Sequence, residues 1–254
     1  MRKYIAYKGL VQKEWVRFLR IWPQSILPSA ITTTLYFMIF GHVIGGRIGG
    51  MAGFPYMAFI MPGLVMMAVI TNSYANVVSS FYGMRFNRAI EELLVSPMPN
   101  WLIILGFITG GMGRGLLVGV VVMLVGISFS GIHVAHPILS LLTILLCSAL
   151  FCLAGLINGI FARKFDDTSI VITFVLTPLI YLGGVFYSIK ELPVFWQAVS
   201  HFNPIYYVIA LFRYAMLGAS GVNAWASFAA VVVFVTGLFL LAWWLLRRGV
   251  GVKA

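Results

Sequence analysis

Residues 169–218 hold the feature that most limits the fold: an apolar run of membrane length is followed by two apolar pieces too short to cross a bilayer. A spanning helix needs about 20 residues. Segment 169–188 meets that length, whereas 192–200 and 204–218, beyond the charged break Lys190-Glu191, fall short of it. They are predicted to enter the membrane and turn back. Peptide groups at such a bend cost several kcal/mol each if left unpaired in hydrocarbon. A hairpin at 191–218 must therefore be shielded by protein or line a wet cavity.

The rest of the chain fits the same solvent. Of 254 residues, 61% are hydrophobic and 9% charged, with a mean hydropathy of +1.01, which excludes an ordinary soluble domain. Apolar runs at 23–46, 54–81, 102–129, 138–161, 169–188 and 224–246 predict six transmembrane helices in a single all-α integral membrane domain, 1–254, with no soluble ectodomain. Residues 1–22 are too densely charged for a cleavable signal. Tyr4, Tyr7, Val11, Trp15, Phe18 and Trp22 recur there at helical steps, and Lys13, Arg17 and Arg20 take another face, predicting an amphipathic helix at the membrane interface.

Charge sets the orientation. Thirteen of the 17 Lys and Arg fall in 1–22, after the second span (Arg85, Arg88), after the fourth (Arg163, Lys164) and at the C-terminus (Arg247, Arg248, Lys253). By the positive-inside rule, both termini and the even-numbered loops are cytoplasmic. A seventh span at 204–218 would export the last cluster, which independently favours the re-entrant reading. The net charge of +11 is then a topology signal with some attraction to anionic membrane lipid, and nucleic acid is not an implied partner. Cys147 and Cys152 lie five apart on different faces of one predicted helix and read as packing residues. His42, His133, His136 and His201 sit at outer span ends; two ligands from His133-x-x-His136 do not make a metal site.

Energy supply narrows the classes. No G-x-x-x-x-G-K-[ST] occurs, so no P-loop cradles nucleotide phosphates. The six carboxylates, Glu14, Glu91, Glu92, Asp166, Asp167 and Glu191, are all assigned to loops or the surface helix, which argues against ion coupling through a buried acid. Three classes remain: a passive channel, an intramembrane enzyme, or a transport subunit driven by a separate ATPase. The enzyme reading lacks a nucleophile–base pair or paired carboxylates at credible spacing. Segment 85–98 reads as a short amphipathic helix ended by Pro97, with Arg88 and Glu92 at i,i+4. It is either a docking handle or a solvated turn. The ARKFDDTS loop sets Phe165 between two cations and the carboxylates Asp166 and Asp167, with the same two readings.

Polar residues inside the spans mark a conduit or the glue between helices. Asn72, Asn76 and Ser79 or Ser80 form a stripe on the second span, where each interhelical hydrogen bond is worth around 1 kcal/mol. The third span carries Gly106, Gly110, Gly111, Gly113, Gly115 and Gly119, suited to close helix approach, around Arg114. A mid-span guanidinium costs about 2.5–3.5 kcal/mol by insertion scales, so Arg114 must find partners such as Asn158 or backbone carbonyls, or attract an anionic headgroup.

The run Leu176-x-x-Leu179-x-x-Leu182-Gly183-x-Val185-x6-Leu192-Pro193-x10-Pro204-Ile205-x-Tyr207-x5-Arg213 resembles the signature of ABC-2 type permeases, membrane subunits of bacterial ABC exporters. VRFLRIWPQSILPSAITTTLYFMIFG and RAIEELLVSPMP are similar to the same family, so the likeness covers essentially the whole chain. The resemblance implies a homodimer or heterodimer of six-span subunits in the bacterial inner membrane, each resting on a separate nucleotide-binding subunit that uses ATP and Mg, and moving cargo outward. It implies that 85–98 is the coupling helix, with Arg88, Glu91, Glu92 and Leu94 against the ATPase and Phe165, Asp166 and Asp167 as a minor contact. It also implies that Pro193 and Pro204 open the turns of an outer gate that includes Tyr206, Tyr207 and Arg213. Family members export polysaccharides, drugs or lipids, and the residues do not choose among them. The chain itself then needs no cofactor.

Overall fold

The computed structural model describes residues 2–48, 50–96, 98–219 and 221–251, without the side chains at 2, 42, 44, 47, 48 and 94. The expected stop at Pro97 and the side chains of Leu94 and His42 thus lie outside the described residues. The chain opens with α1 (Arg2–Arg20) and α2 (Trp22–Tyr36). Helix then continues through a π-helical stretch, Phe37–Ile44, into α3 (Gly45–Ile48). The expected first span is thus helical but not one unbroken α-helix. A two-residue ladder, β1 (Gly50–Met51) with β2 (Phe54–Pro55), turns the chain into α4 (Tyr56–Phe86). There follow α5 (Ala89–Val95), α6 (Asn100–Ser130), α7 (Pro137–Phe161), α8 (Phe165–Val171), α9 (Thr177–Leu182), α10 (Val194–His201), α11 (Pro204–Leu217) and α12 (Ala224–Arg248).

Local chemistry sets these bounds. Pro137 and Pro204 occupy first-turn positions, where no N–H is missed. Gly131, Gly218 and Gly249 close α6, α11 and α12 in the left-handed conformation. Between α8 and α9 the π turns at Ile172–Leu176 run into Pro178, which has no N–H to give, and the Thr177 hydroxyl donates to Ile172 O at 2.9 Å.

Among the described residues, five helical segments are long and apolar enough to cross a membrane: Tyr56–Phe86, Asn100–Ser130, Pro137–Phe161, Phe165–Leu182 and Ala224–Arg248. They differ in what surrounds them. The most apolar stretch of α4 is 83% buried against 17% for Phe165–Leu182, so α4 is the central post and α8–α9 a peripheral one. α4 packs chiefly on α6 and α7. Around its N-terminal half an apolar core gathers Phe59, Ile60, Ile205, Val208 and Phe212. Around its C-terminal half a second core gathers Phe81, Met84, Ile90, Phe107 and Leu245. Between the two, α4 carries the buried polar residues Asn72, Ser73, Asn76 and Ser80.

The α6 glycines serve two faces. A Cβ at Gly106 or Gly110 would meet Leu10 or Glu14 of α1, and one at Gly111 or Gly115 would meet Cys152 of α7 or Ser73 of α4. Their absence of side chains lets α1 lie against α6 on one side and α4 and α7 close in on the other.

Candidate functional site

α4 is a ruler along which the candidate residues fall. Phe59, Asn72 and Arg85 are spaced thirteen residues apart, about 20 Å per interval at the helical rise. Each marks a different station.

At the Arg85 station α4 ends and the chain turns sharply. Arg88 adopts a left-handed φ of 59°, unusual for a side chain of that size, and α5 starts at the next residue. The expected helix 85–98 is therefore shorter: Arg85 belongs to α4, and Arg88, outside α5, makes no ion pair with Glu92. Ile90, 2% exposed, plugs α5 into the second core, while Arg88, Glu91 and Glu92 point outward. Arg85 Nη1 donates to the carbonyls of Gly159 (3.1 Å), Ile160 (2.6 Å) and Ala162 (2.9 Å), satisfying the C-terminal end of α7. α4 and α7 are thereby fastened at this end. Nothing in the local sequence pairs Arg85 with residues more than seventy positions away, so this anchor escaped sequence reasoning.

The expected FDD loop is instead the first turn of α8. Asp167 accepts from the backbone N–H of Arg163 (2.8 Å) and Lys164 (3.0 Å), which starts the helix earlier than apolarity alone suggests. Phe165 stays 64% exposed and sits edge-on to Tyr82 of α4, with Asp166 exposed beside it. α1 reaches the same end: Leu10, Lys13, Met84, Glu92 and Leu93 line a hollow of about 310 Å³ between α1, α4 and α5. The two sequence-predicted docking elements thus converge on one end of the molecule.

The Asn72 station holds a buried polar cluster. Glu14, 0% exposed, accepts from Ser80 Oγ at 2.6 Å and from Arg17 Nη2 at 2.9 Å. This corrects the assignment of every carboxylate to loop or surface. Helical periodicity put α1 at an interface, yet its packed stripe is Leu10, Glu14 and Phe18, and Trp15 and Trp22 are left exposed. Arg17 Nη2 also donates to Asn76 O and Oδ1, each at 3.0 Å. Arg114 donates to Asn72 Oδ1 (3.1 Å) rather than to Asn158, and Asn72 Nδ2 donates to Ser29 Oγ (2.9 Å) of α2. Ser29 in turn lines a hydroxyl-rich groove of about 200 Å³ with Thr32, Thr33, Tyr36 and Thr71. Asn72 with Arg114 and Asn76 with Arg17 and Glu14 are thus two bonded groups one turn apart on α4, and no motif signalled the part of Glu14 and Arg17.

At the Phe59 station Arg213 of α11, 8% exposed, stacks its guanidinium over the Phe59 ring (3.9 Å to the centroid) and donates to Gly184 O at 2.9 Å. Pro193 and Pro204 start α10 and α11. Ser200 and Asn203 donate to Leu182 O (3.1 Å) and Leu179 O (2.6 Å), stitching these short helices to the end of α9. Tyr206 and Tyr207 pack against each other, and Tyr207 donates to His201 O. Tyr206, Arg213, Lys190, Glu191 and His201 border a cavity of about 620 Å³.

Comparison with known proteins now decides the class: the ABC-2 type transporter family matches residues 6–217. The chain belongs to the ABC-2 type transporter family. It is 53% identical over 251 residues to the inner membrane transport permease YadH of Escherichia coli K12, covering 99% of this chain and 98% of that one. It is 27% identical over 241 residues to nodulation protein J of Sinorhizobium fredii, covering 92% and 91%, and 24% identical over 225 residues to nodulation protein J of Rhizobium leguminosarum bv. viciae, covering 88% and 87%. As an ABC-2 chain with five apolar membrane-length segments, it is an all-α, multi-pass membrane transport permease.

Proposed function

We propose that this ABC-2 chain is the membrane subunit of an ATP-driven exporter in the bacterial inner membrane. It moves a hydrophobic or amphiphilic substrate, a drug, lipid or lipid-linked glycan, outward. The motor is a separate nucleotide-binding subunit that uses ATP and Mg and seats on α5, with Phe165, Asp166 and Asp167 at the margin of the contact. Two copies of this chain and two ATPase subunits make the complex; the uncovered apolar faces of α2 and α8–α9, with Ile31, Leu35, Phe174 and Val175 exposed, are available to a second copy or to lipid. Counting the helical stretch from Trp22 to Ile48 as a crossing gives six spans, both termini cytoplasmic, and α10–α11 as a re-entrant outer hairpin.

The observation that carries this reading is the α4–α5 junction. A rigid helix through the protein centre ends in a tight turn, then in a seven-residue helix anchored by Ile90 and offering Glu91 and Glu92 outward. Movement of a partner seated on α5 is passed to α4, and through Arg85 to α7, as a rigid-body displacement. The far end of α4 bears on Arg213 through Phe59, so tilting α4 loads the outer helices.

Copurification with the cognate ATPase, followed by joint reconstitution in vesicles with a fluorescent amphiphile, tests the reading. ATP-dependent translocation, lost together with ATPase capture in Glu91→Lys/Glu92→Lys while the chain still folds, is the expected result. Uphill pumping by vesicles containing only the purified chain would overturn it.

A further inference from the structure

We propose that Arg17, Asn76 and Arg114 form a binding site for the phosphate-bearing head of an anionic amphiphile. The first support is a mismatch of donors and acceptors. Arg17 Nε, Asn76 Nδ2 and Arg114 Nε are all buried N–H donors without an acceptor. Buried donors are nearly always paired, because an unpaired one has given up its water without replacement. Three such donors around one α4 turn describe a missing acceptor.

The second support is charge. Glu14 faces Arg17, but Arg114 bonds only to the neutral amide of Asn72, so two guanidiniums share one carboxylate and one positive charge remains uncompensated. The two cations bond residues one turn apart on α4, Asn76 and Asn72, and repel each other. An anion between them would remove the repulsion and satisfy all three donors at once. A tetrahedral oxyanion offers more acceptor oxygens than a carboxylate to three donors from three helices, and phosphate is the commoner such group on membrane amphiphiles.

Access points to a lipid-type ligand. Arg17 is 30% exposed, so the cluster opens to the outside along α1. Arg114 is the fifteenth of the 31 residues of α6, about 21 Å from its Asn100 end, so the head is held inside the bundle and reached past α1. The adjoining α2–α4 groove offers hydroxyls whose protons are committed to their own helices, Ser29 to Ser25 O and Thr71 to Met67 O, leaving oxygen lone pairs for a polyol or glycosyl head. Occupancy by an anion stands on this geometry; that the anion heads the transported molecule rests on the exporter reading.

Binding is measured on the purified full chain without ATPase, in a neutral detergent, against dioctanoyl phosphatidic acid, dioctanoyl phosphatidylcholine and inorganic phosphate. Phosphatidic acid should bind saturably, at least tenfold more tightly than phosphatidylcholine. Arg17→Gln and Arg114→Gln should each weaken it tenfold or more, and Lys8→Gln, exposed on α1, should not. Glu14→Gln should tighten it several-fold, because it unmasks a second positive charge; a structural role alone predicts no tightening. Arg114→Lys, retaining charge but losing the Nε donor, should fall between and covers the case in which Arg114→Gln does not fold. Unchanged affinity in the arginine variants, or weaker binding by a folded Glu14→Gln, would overturn the site. Inorganic phosphate saturating at the same concentration as phosphatidic acid would overturn its assignment to an amphiphile. Absence of ATP-driven transport with binding intact would count against the exporter reading and leave the site standing.

Discussion

Glu14→Ala is the most searching perturbation, because it cuts the link between α1 and α4 at a position that hydropathy treats as surface. The loss can be built from the contacts. Ser80, 6% exposed, is left without the acceptor that its hydroxyl reaches at 2.6 Å, at about 1–3 kcal/mol. The deleted methylene against Gly110 adds about 0.8 kcal/mol. The pair with Arg17, whose side chain is 30% exposed and keeps its bonds to Asn76, contributes under about 1 kcal/mol after solvent screening. The variant should lose about 3 kcal/mol, a fall in Tm of roughly 6–12 °C for a chain of this size. Glu14→Gln keeps the methylene and an oxygen for Ser80, and should lose only about 1 kcal/mol. Thermal unfolding in dodecyl maltoside, followed by tryptophan fluorescence, ranks the two. Wild-type stability for Glu14→Ala, or equal damage from both substitutions, would show that Glu14 is not a buried acceptor.

Ile90→Ala empties the socket under α5, and with a typical Ile-to-Ala loss of about 2–5 kcal/mol it should abolish hydrogen-exchange protection across 89–95 while leaving α4 protected. Gly63→Ala places a Cβ 2.8 Å from Val185 Cα and O, backbone atoms that cannot turn aside, and should destabilise by about 1–3 kcal/mol. Gly83→Ala, with nothing within 4 Å of its Cβ, should instead stabilise α4 by about 0.5–1 kcal/mol in the same melting assay. Arg213→Met fills a similar volume but leaves Gly184 O without its donor, so it should lower stability by about 1–3 kcal/mol and accelerate cysteine labelling of single-cysteine reporters placed at 184–188.

How far the chain could be read in advance depended on the range of the forces involved. The α10–α11 interruption and the turns at Pro193, Pro204 and Gly218 follow from length, proline and glycine, all local properties. The glycines of α6 announced close packing, although which neighbour each admits required the neighbours themselves. The α8 start was missed because apolarity begins after it, whereas capping by Asp167 decides it. Arg88, Glu91 and Glu92, exposed at the α4–α5 junction, were legible as a charged break after a span; the anchor made by Arg85 was not, since its three acceptors lie at the end of another helix.

Sequence alone determined the solvent and the helical character of the elements, because burying peptide groups in hydrocarbon leaves helices as the way for such apolar runs to pair them. Tertiary structure alone decided that Glu14, Arg17 and Asn76 meet and that Arg114 bonds Asn72 one turn away. A charge inside such a protein is tolerable only where partners from distant helices converge on it, and that convergence is set by how glycine-faced helices close on one another, not by periodicity along any one of them.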